Sequence, residues 1–405
     1  MRRKLFRLSA KGFALAAVVS MGVWSCQPEE SPVVDLSNSA LEFIKYQNGD
    51  IIPGKYIVTL KSTGLNARKD MSYDAVQASM RKSSSNLLAK YRIADAAIEH
   101  VYGSTIEGFS VSLSEEQAQL LAKDPAVSYI EPDRVIQISQ KGKPGGGGGT
   151  APAQTTPWGI TRVGGFVNYS GTNKAYVIDS GIDLDHPDLN VAGYGFNGTS
   201  GRDAKSLDDG NGHGTHVAGT IAAKNNTIGV VGVAAGALVV PVKVLGATGS
   251  GSTSGVIAGV NYVGGNGQAG DVANMSLGGG VSQALDDAVV AASSRVKFVL
   301  AAGNSSADAN TSSPARANGN DIYTISAMDS SDRLASFSNY GNPPVDYAAP
   351  GVGIQSTYKG GGYASLSGTS MAAPHVAGIL LLGNVSSGGT ITGDKDSTPD
   401  PIAVR

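Results

Sequence analysis

Cysteine is nearly absent from this chain of 405 residues, since Cys26 is the only one. A single cysteine excludes both an intrachain disulfide framework and a zinc cluster built on thiolates. A surplus of one charge sign is missing too, because 31 Lys and Arg stand against 33 Asp and Glu. A protein that binds a nucleic-acid backbone needs a clear basic excess, so no nucleic acid is expected as a partner.

A hydrophobic run long enough to span a bilayer, which takes about 20 residues, is also lacking. The apolar stretch at residues 12–23 is shorter and follows a basic stretch without acids, a pattern typical of a signal peptide. We therefore expect a signal peptide at residues 1–25 and a polar tether at 26–52. Cys26 resembles the lipidated cysteine of bacterial lipoproteins, which implies export to the cell envelope and a lipid anchor in a membrane. An ordinary signal peptide with an incidental thiol, and hence a secreted protein, stays open as the alternative.

Glycine, by contrast, is abundant: the chain has 55, roughly twice the usual share of about 7%. Five of them form a run inside residues 140–156, which we interpret as a flexible linker rich in Gly and Pro. The linker separates a small unit, 53–139, from a larger one, 157–383. The tail at 384–405 is rich in Asp and Pro and either finishes the fold differently or is an incomplete ending.

The small unit has the pattern strand, helix, strand, strand, helix, strand, with its first strand-like run at residues 55–61. This order is typical of a ferredoxin-like α+β unit. Ser114 and Gln117 have the spacing of a capping box at the start of its second helix. No catalytic cluster is present, and His100 stands alone.

In the larger unit, apolar strand-like runs alternate with helical stretches, which predicts a parallel sheet with helices on both faces. Asp179, Ser276 and Asn304 each end one of these runs. Because ligand sites in such folds lie beyond the carboxyl ends of the strands, these three residues are expected at one edge of the sheet.

Three motifs carry candidate chemistry: one around Asp179, one around His213 and one around Ser370. Taken singly, each has an ordinary structural explanation: Asp179 as a turn residue, His213 as a helix cap and Ser370 as an N-cap. Taken together, they supply a nucleophile, a base that accepts its proton and an acid that orients the base. Ser370 also precedes a helix-favouring run, and an Asn304 side-chain N–H beside the Ser370 backbone N–H suits a developing oxyanion.

Asp179-Ser-Gly, His213-Gly-Thr-His and Gly368-Thr-Ser-Met-Ala-Ala-Pro resemble the three active-site motifs of the subtilisin-like serine proteases, in the same chain order. The resemblance covers about residues 156–382, and the proteinase K branch looks most similar. It implies an α/β fold, a subtilisin-like parallel sheet with helices on both faces, preceded by a small α+β ferredoxin-like propeptide. It also implies a serine endopeptidase that acts through an acyl-enzyme, with Ser370 as nucleophile, His213 as base, Asp179 as its orienting acid and Asn304 at the oxyanion.

The same resemblance implies two extended segments that bind a substrate peptide by strand addition. These segments are Gly249, Ser250 and Gly251, and Ser276, Leu277, Gly278 and Gly279. The specificity pocket lies between the second segment and residues 301–303, which include Gly303. Small residues there favour a roomy, apolar pocket with broad specificity, although glycines in ordinary turns are the alternative.

The resemblance further implies a structural calcium ion, with Asp346 as the carboxylate and main-chain oxygens near Asn320 and Ile322. Oxygen donors of this kind suit calcium, while an ordinary surface Asp is the alternative. No cofactor is expected for catalysis itself. A zincin is not indicated, because no His-Glu-x-x-His is present.

As the propeptide of such a protease, the small unit is expected to cover the active-site edge of its own chain. Self-cleavage then falls somewhere within residues 138–156, and the partners are this propeptide and a peptide or protein substrate, with the chain a monomer. Two alternatives remain open at this point. The chain is a non-catalytic, surface-anchored binding protein that retains the fold, or it is a zymogen that another protease cuts.

Overall fold

Residues 46–64, 71–138 and 152–405 are described in the computed structural model. The predicted signal peptide, Cys26, the tether up to residue 45, the last residue of the small unit (139) and residues 140–151 of the linker lie outside this range. Among the described residues, no helix combines the length and the apolar character that crossing a membrane requires.

The small unit has the predicted element order. Its elements are β1 (Ile51–Leu60), α1 (Tyr73–Lys90), β2 (Ile98–Tyr102), β3 (Gly108–Ser112), α2 (Glu115–Leu121) and β4 (Val127–Gln137). The strands form an antiparallel sheet in the order β4-β1-β3-β2, which confirms the ferredoxin-like pattern. α2 begins with the predicted capping box, in which Ser114 and Gln117 each accept a hydrogen bond from the other's backbone N–H.

The small unit begins earlier than the predicted boundary at residue 53. β1 starts at Ile51, and the N–H of Gly49 donates to the carbonyl of Val135 over 2.9 Å. The N–H of Val135 donates in turn to the carbonyl of Asp50, also over 2.9 Å. A register shift between Ile51 and Tyr56 interrupts the strand pattern, which is why the sequence alone suggested a start at residue 55.

The larger unit adds five α-helices and sixteen strands within the described residues. They are α3 (Trp158–Arg162), β5 (Val167–Asn168), β6 (Ala175–Asp179), β7 (Asn190–Val191), β8 (Phe196–Asn197), α4 (His213–Ala222), β9 (Ala234–Ala235), β10 (Leu238–Lys243), β11 (Ser250–Ser252), α5 (Thr253–Asn266), β12 (Val272–Met275), β13 (Gly278–Gly279), α6 (Gln283–Ser293), β14 (Lys297–Ala301), β15 (Ile322–Met328), β16 (Val345–Pro350), β17 (Ile354–Tyr358), β18 (Gly362–Leu366), α7 (Thr369–Leu382), β19 (Ser386–Thr390) and β20 (Pro401–Val404). The main sheet has the order β19-β20-β16-β15-β14-β12-β6-β10-β7, and its pairs are parallel except β19–β20.

The main sheet is buried on both faces. Val177 packs in one apolar cluster with Val217 of α4 and Val376 of α7. Its neighbour Ile178 packs in a second cluster with Leu285 of α6 on the opposite face. A parallel strand covered on both sides has no polar face, which explains the continuous apolar runs in the sequence. The predicted subtilisin-like architecture is thus confirmed.

The C-terminal tail belongs to this sheet, so residue 383 does not mark the end of the folded unit. β20 lies parallel to β16, with Ile402 opposite Ala348, and β19 pairs with β20 antiparallel. Ile402 and Ala403 are fully buried. The tail therefore extends the main sheet, because a few apolar residues among the Asp and Pro pack at its edge.

Candidate active site

Asp179 and His213 form a buried pair at the carboxyl edge of the main sheet. Asp179 is the last residue of β6, and His213 is the first residue of α4. The His213 Nδ1 lies 2.8 Å from one carboxylate oxygen of Asp179 and 2.9 Å from the other. Both side chains are completely buried. The contact fixes the tautomer with the proton on Nδ1, which leaves the lone pair of Nε2 as an acceptor.

Asp209 holds the start of α4 against β6. Its carboxylate accepts hydrogen bonds from the N–H of Gly212 at 2.8 Å and of Thr215 at 2.9 Å, and from the Ser180 hydroxyl at 2.8 Å. Burial raises the pKa of Asp209, while these hydrogen bonds act in the opposite direction. Gly212 has φ +109°, and a Cβ there would collide with the Tyr358 ring, so this turn requires glycine. From the sequence, Asp209 was interpreted as a loop acid that binds an ion or lies in a solvated turn; its role at the start of α4 was not predicted, although Asp209-Gly-Asn-Gly-His was recognised as a motif.

Ser370 lies in the first turn of α7 at the same edge. Its hydroxyl donates to the carbonyl of Ser276 at 3.0 Å, and the Ser276 hydroxyl donates to the carbonyl of Ser370 at 2.7 Å. No hydrogen bond joins Ser370 Oγ to His213 Nε2, which has no partner among the described residues. The backbone N–H groups of the first helical turn are unpaired within a helix and carry its positive dipole end.

Asn304 follows β14 and faces the start of α7. Its side-chain oxygen accepts hydrogen bonds from the Thr369 N–H at 2.8 Å and the Thr369 hydroxyl at 3.1 Å. Because a backbone N–H can only donate, the atom turned toward Thr369 is the oxygen, and the amide N–H₂ group occupies the other side. As predicted, Asp179, Ser276 and Asn304 lie at or just beyond the carboxyl ends of β6, β12 and β14, along one edge of the sheet.

A cavity of about 250 Å³ lies beside Ser370. It is lined by residues 277–279 of the second predicted segment and by Gly303, as expected, together with Thr311, Ser312 and Asn339. Most lining side chains are therefore small, but they are mixed in polarity, which differs from the expected apolar pocket.

The two predicted substrate segments each pair with β4 of the small unit. Gln137 lies opposite Ser250 in β11 and opposite Gly278 in β13, and both pairings are antiparallel. The N–H of Ile138 donates to the carbonyl of Gly249 at 3.0 Å. Gly249 has φ +75°, and a Cβ there would lie 2.7 Å from the Ile138 side chain. The C-terminal strand of the small unit thus occupies the position predicted for a substrate peptide.

A family model described as the subtilase family matches residues 175–383, just over half of the chain. The chain belongs to the subtilase family. A second model, described as peptidase inhibitor I9, matches residues 55–139. The small unit is therefore the inhibitory propeptide of a subtilase, as expected.

Similar proteins agree with this assignment. An alkaline protease of Alkalihalobacillus alcalophilus is 48% identical over 286 residues, which cover 69% of this chain and 69% of that protein. Subtilisin-like protease 1 of Trichophyton verrucosum is 34% identical over 91% of this chain and 92% of that protein. The crystal structure of a cold adapted subtilisin-like serine proteinase has 38% identity and a TM-score of 0.51, covering 60% of this chain and 96% of that chain. The chain is a serine-type endopeptidase.

Two carboxylates of the subtilase propeptide cap helices of the larger unit. Glu131 accepts from the N–H of Gln283 at 3.1 Å at the start of α6, and Asp133 accepts from the N–H of Ser254 at 3.0 Å in α5. Burial raises the pKa of Asp133 to about 6, although the hydrogen bonds from Ser254 lower it. An acid at a helix N-terminus satisfies unpaired N–H groups and the dipole, so both residues stabilise docking.

A second propeptide contact precedes the residues that match the inhibitor family. The Asn48 amide donates to the carbonyl of Gly278 at 2.9 Å and accepts from the N–H of Gln137 at 3.0 Å. Asn48 thereby bridges β4 and the substrate segment, and it also lines the cavity beside Ser370. Sequence reasoning placed this residue in the tether; the Asn48-Gly49 pair, a turn signal, was the available clue.

Two of the three predicted calcium ligands lie on neighbouring strands, and the third lies in a loop. Asp346 is in β16, Ile322 begins β15, and Asn320 is exposed in the preceding loop. The Asp346 carboxylate accepts from the N–H of Thr324 at 2.8 Å, and burial raises its pKa to about 6. A desolvated carboxylate with one described hydrogen bond fits a hard cation.

Proposed function

We propose that the protein is an exported, self-processing zymogen that hydrolyses peptide bonds through Asp179, His213 and Ser370. The buried Asp179–His213 pair, placed at the sheet edge where α7 presents Ser370, carries this assignment. Membership in the subtilase family supports it, as does the propeptide strand that lies in the substrate position.

The reaction starts when Ser370 attacks the scissile carbonyl and its proton passes to His213 Nε2. In the resting zymogen the Ser370 hydroxyl donates to Ser276, so rotation about its Cα–Cβ bond must precede the transfer. Asp179 keeps the imidazole oriented and stabilises the imidazolium that forms. The Asn304 amide and the Ser370 backbone N–H hold the oxyanion. His213 then protonates the leaving amine, and water attacks the acyl-enzyme by the reverse route.

Processing is the step that frees this site. β4 ends at Gln137, directly between β11 and β13, so the chain leads from the site into the linker. We place the cut within residues 138–156, followed by release of the propeptide. The mature form then accepts peptides by strand addition beside a pocket of small, mixed residues, which favours broad specificity.

Expression of wild-type and Ser370→Ala chains tests both the nucleophile and the processing route. Wild-type protein should have a new N-terminus within residues 138–156 and hydrolyse a peptide substrate. Ser370→Ala should remain uncut and inactive. A shortened Ser370→Ala chain would mean cutting by another protease, and a matured wild-type chain without hydrolysis would contradict the proposal.

Export, anchoring and metal binding rest on the sequence motifs. The signal peptide and Cys26 support lipid anchoring in the bacterial cell envelope, which fractionation of cells with wild-type and Cys26→Ser chains tests. Wild-type protein should sediment with membranes and Cys26→Ser should not. The short motifs Pro157-Trp-Gly159 and Ser336-Phe-Ser-Asn-Tyr-Gly341 resemble those of the proteinase K branch and support that assignment. Asp346, with backbone oxygens near Asn320 and Ile322, would hold a structural calcium ion whose role is confined to stability.

A further inference from the structure

The loop that carries Asn304 has an unfavourable backbone conformation on both sides of this residue. β14 ends at Ala301, and Asn304 follows outside regular secondary structure. Gly303 has φ +109° and Ser306 has φ +56°, both in the left-handed region, which residues other than glycine rarely adopt. The loop therefore needs hydrogen bonds from another part of the chain to keep its shape.

The side chain of Asn339 supplies three such hydrogen bonds. Its Nδ2 donates to the carbonyl of Ala302 at 2.9 Å, before Asn304 in the chain. Its Oδ1 accepts from the N–H of Ser305 at 2.9 Å and from the N–H of Ala307 at 3.1 Å, both after Asn304. A single side chain thus binds the backbone on each side of Asn304.

These contacts require a carboxamide at residue 339. A carbonyl oxygen only accepts and a backbone N–H only donates, so the side chain must offer a donor and an acceptor at the same time. The backbone N–H of Asn339 also donates to the carbonyl of Gly303 at 2.9 Å. A Cβ on Gly303 would lie 2.4 Å from Nδ2 of Asn339, which is 3% exposed, so the two residues are tightly packed.

Asn339 is in turn attached to the main sheet. The hydroxyl of the preceding residue, Ser338, accepts from the N–H of Ala327 in β15 at 3.0 Å. The carbonyl of Phe337 accepts from the N–H of Ser306 at 2.9 Å. The segment around Asn339 therefore connects the Asn304 loop to a buried strand, and a support on a rigid element can fix the position of a catalytic group.

We propose that Asn339 is a positioning residue that holds the Asn304 amide at the oxyanion. This inference rests on the proposed role of Asn304 in catalysis. Thr369 binds the side-chain oxygen of Asn304, whereas Asn339 fixes the backbone from which that side chain extends. The oxyanion carries its charge only in the transition state, so a displaced Asn304 should weaken transition-state binding more than substrate binding.

A role of Asn339 in substrate binding is the alternative, because this residue also lines the cavity beside Ser370. The two roles differ in their effect on the kinetic constants. Loss of a contact that substrate and transition state share raises KM and leaves kcat unchanged. Loss of a contact made only in the transition state lowers kcat, so the ratio of the two effects separates the roles.

A double-mutant cycle with Asn304 tests the inference. Wild-type, Asn339→Ser, Asn304→Ala and doubly substituted chains are processed in trans by added wild-type protein, which is then removed, and a Ser370→Ala chain treated in the same way gives the background. Asn339→Ser should lower kcat by about 10- to 100-fold and change KM by less than about threefold. In the Asn304→Ala background it should lower kcat by less than about threefold, because the donor that it positions is already gone.

A peptide boronic acid provides a second measurement. Its tetrahedral adduct with Ser370 places an oxygen at the oxyanion, so Asn339→Ser should weaken its binding by the same factor as kcat/KM. Asn339→Asp keeps the shape and the two acceptor contacts but loses the donor to Ala302, and it should also lower kcat at least tenfold, by about the rate loss expected for a displaced oxyanion donor. This variant decides the outcome if the Asn339→Ser chain does not fold.

Asn310→Ser is the matched control. Asn310 is an exposed carboxamide in the same connection between β14 and β15, and its described hydrogen bonds go to Asp308 and the carbonyl of Pro343. Both kinetic constants should stay unchanged in this variant.

The possible results separate this inference from the proposed function. An equal loss of kcat in both backgrounds, a change confined to KM, or an equal effect of Asn310→Ser would overturn the role of Asn339 and leave the proposed function intact. A wild-type chain without hydrolysis would overturn the proposed function itself. An unchanged kcat in Asn304→Ala would remove both the oxyanion assignment and the inference that depends on it.

Discussion

At the scale of single residues, the two ring nitrogens of His213 have different surroundings. Nδ1 contacts both oxygens of Asp179, whereas Nε2 is buried without a hydrogen-bond partner among the described residues. This asymmetry prepares the ring to accept one proton at Nε2, which is the property that a general base needs.

Replacement of Asp179 tests whether this carboxylate orients His213 as a general base. Asp179→Asn preserves the size of the side chain but favours the wrong imidazole tautomer, so kcat should fall by about 10⁴-fold while KM changes little. The wild-type and Asp179→Asn chains are both processed in trans by added wild-type protein, which is then removed, and steady-state hydrolysis of a peptide substrate measures kcat and KM. A loss of less than tenfold would show that Asp179 does not orient the base.

The sequence was sufficient for the triad, since three short motifs in a fixed order placed Asp179, His213 and Ser370 on predicted strand and helix ends. It did not predict that the Ser370 hydroxyl donates to the carbonyl of Ser276, because this contact depends on the rotamer of the Ser370 side chain. The predicted apolar character of the pocket was wrong as well. Thr311 and Ser312, in the loop that follows Asn304, add polar groups to the cavity, and no sequence motif marks them as lining residues.

At the scale of elements, β4 is the strand of the propeptide that occupies the substrate position. The propeptide also contacts the larger unit through Asn48, which precedes the residues that match the inhibitor family. Asn48 and Gly278 are 230 positions apart in the chain. No periodicity or motif predicts such a contact, and the same holds for the pairing of β20 with β16. Elements defined by their own pattern were predictable, whereas those defined by distant partners were not.

Removal of the Asn48 amide should weaken inhibition. Asn48→Ala loses the hydrogen bond to Gly278, worth about 0.5–1.5 kcal/mol, so we expect a two- to tenfold shorter lag before full activity. Progress curves of the wild-type zymogen with a peptide substrate measure this lag. Gln47→Ala, an exposed neighbour, is the control that should leave it unchanged, and an equal effect of both variants would contradict the role of Asn48.

At the scale of the whole molecule, two completely buried histidines link stability to pH. Burial lowers the pKa of His216 to about 3 and of His375 to about 4. In the unfolded chain both titrate near 6.5, so below that pH the unfolded state binds more protons and stability falls. Asp133 and Asp286, whose pKa burial raises to about 6, act in the opposite direction.

A comparison of two chains isolates the histidine contribution. The free energy of unfolding is compared at pH 7 and pH 5 for the Ser370→Ala chain and for the same chain with His375→Gln added. Between these pH values it should fall by about 1–2 kcal/mol less in the chain that carries His375→Gln. Urea unfolding at both pH values measures these free energies of unfolding. Equal losses in the two chains would mean that His375 does not titrate on unfolding.

The central claim is that Ser370 is the nucleophile of a self-processed serine endopeptidase, and active-site labelling tests it most directly. Processed wild-type protein is treated with a fluorophosphonate, and the adduct is located by peptide mass mapping while residual peptidase activity is followed. We predict one adduct per chain, on Ser370, with activity lost in proportion to labelling. An adduct on another residue, or activity that persists once Ser370 is fully labelled, would contradict the account.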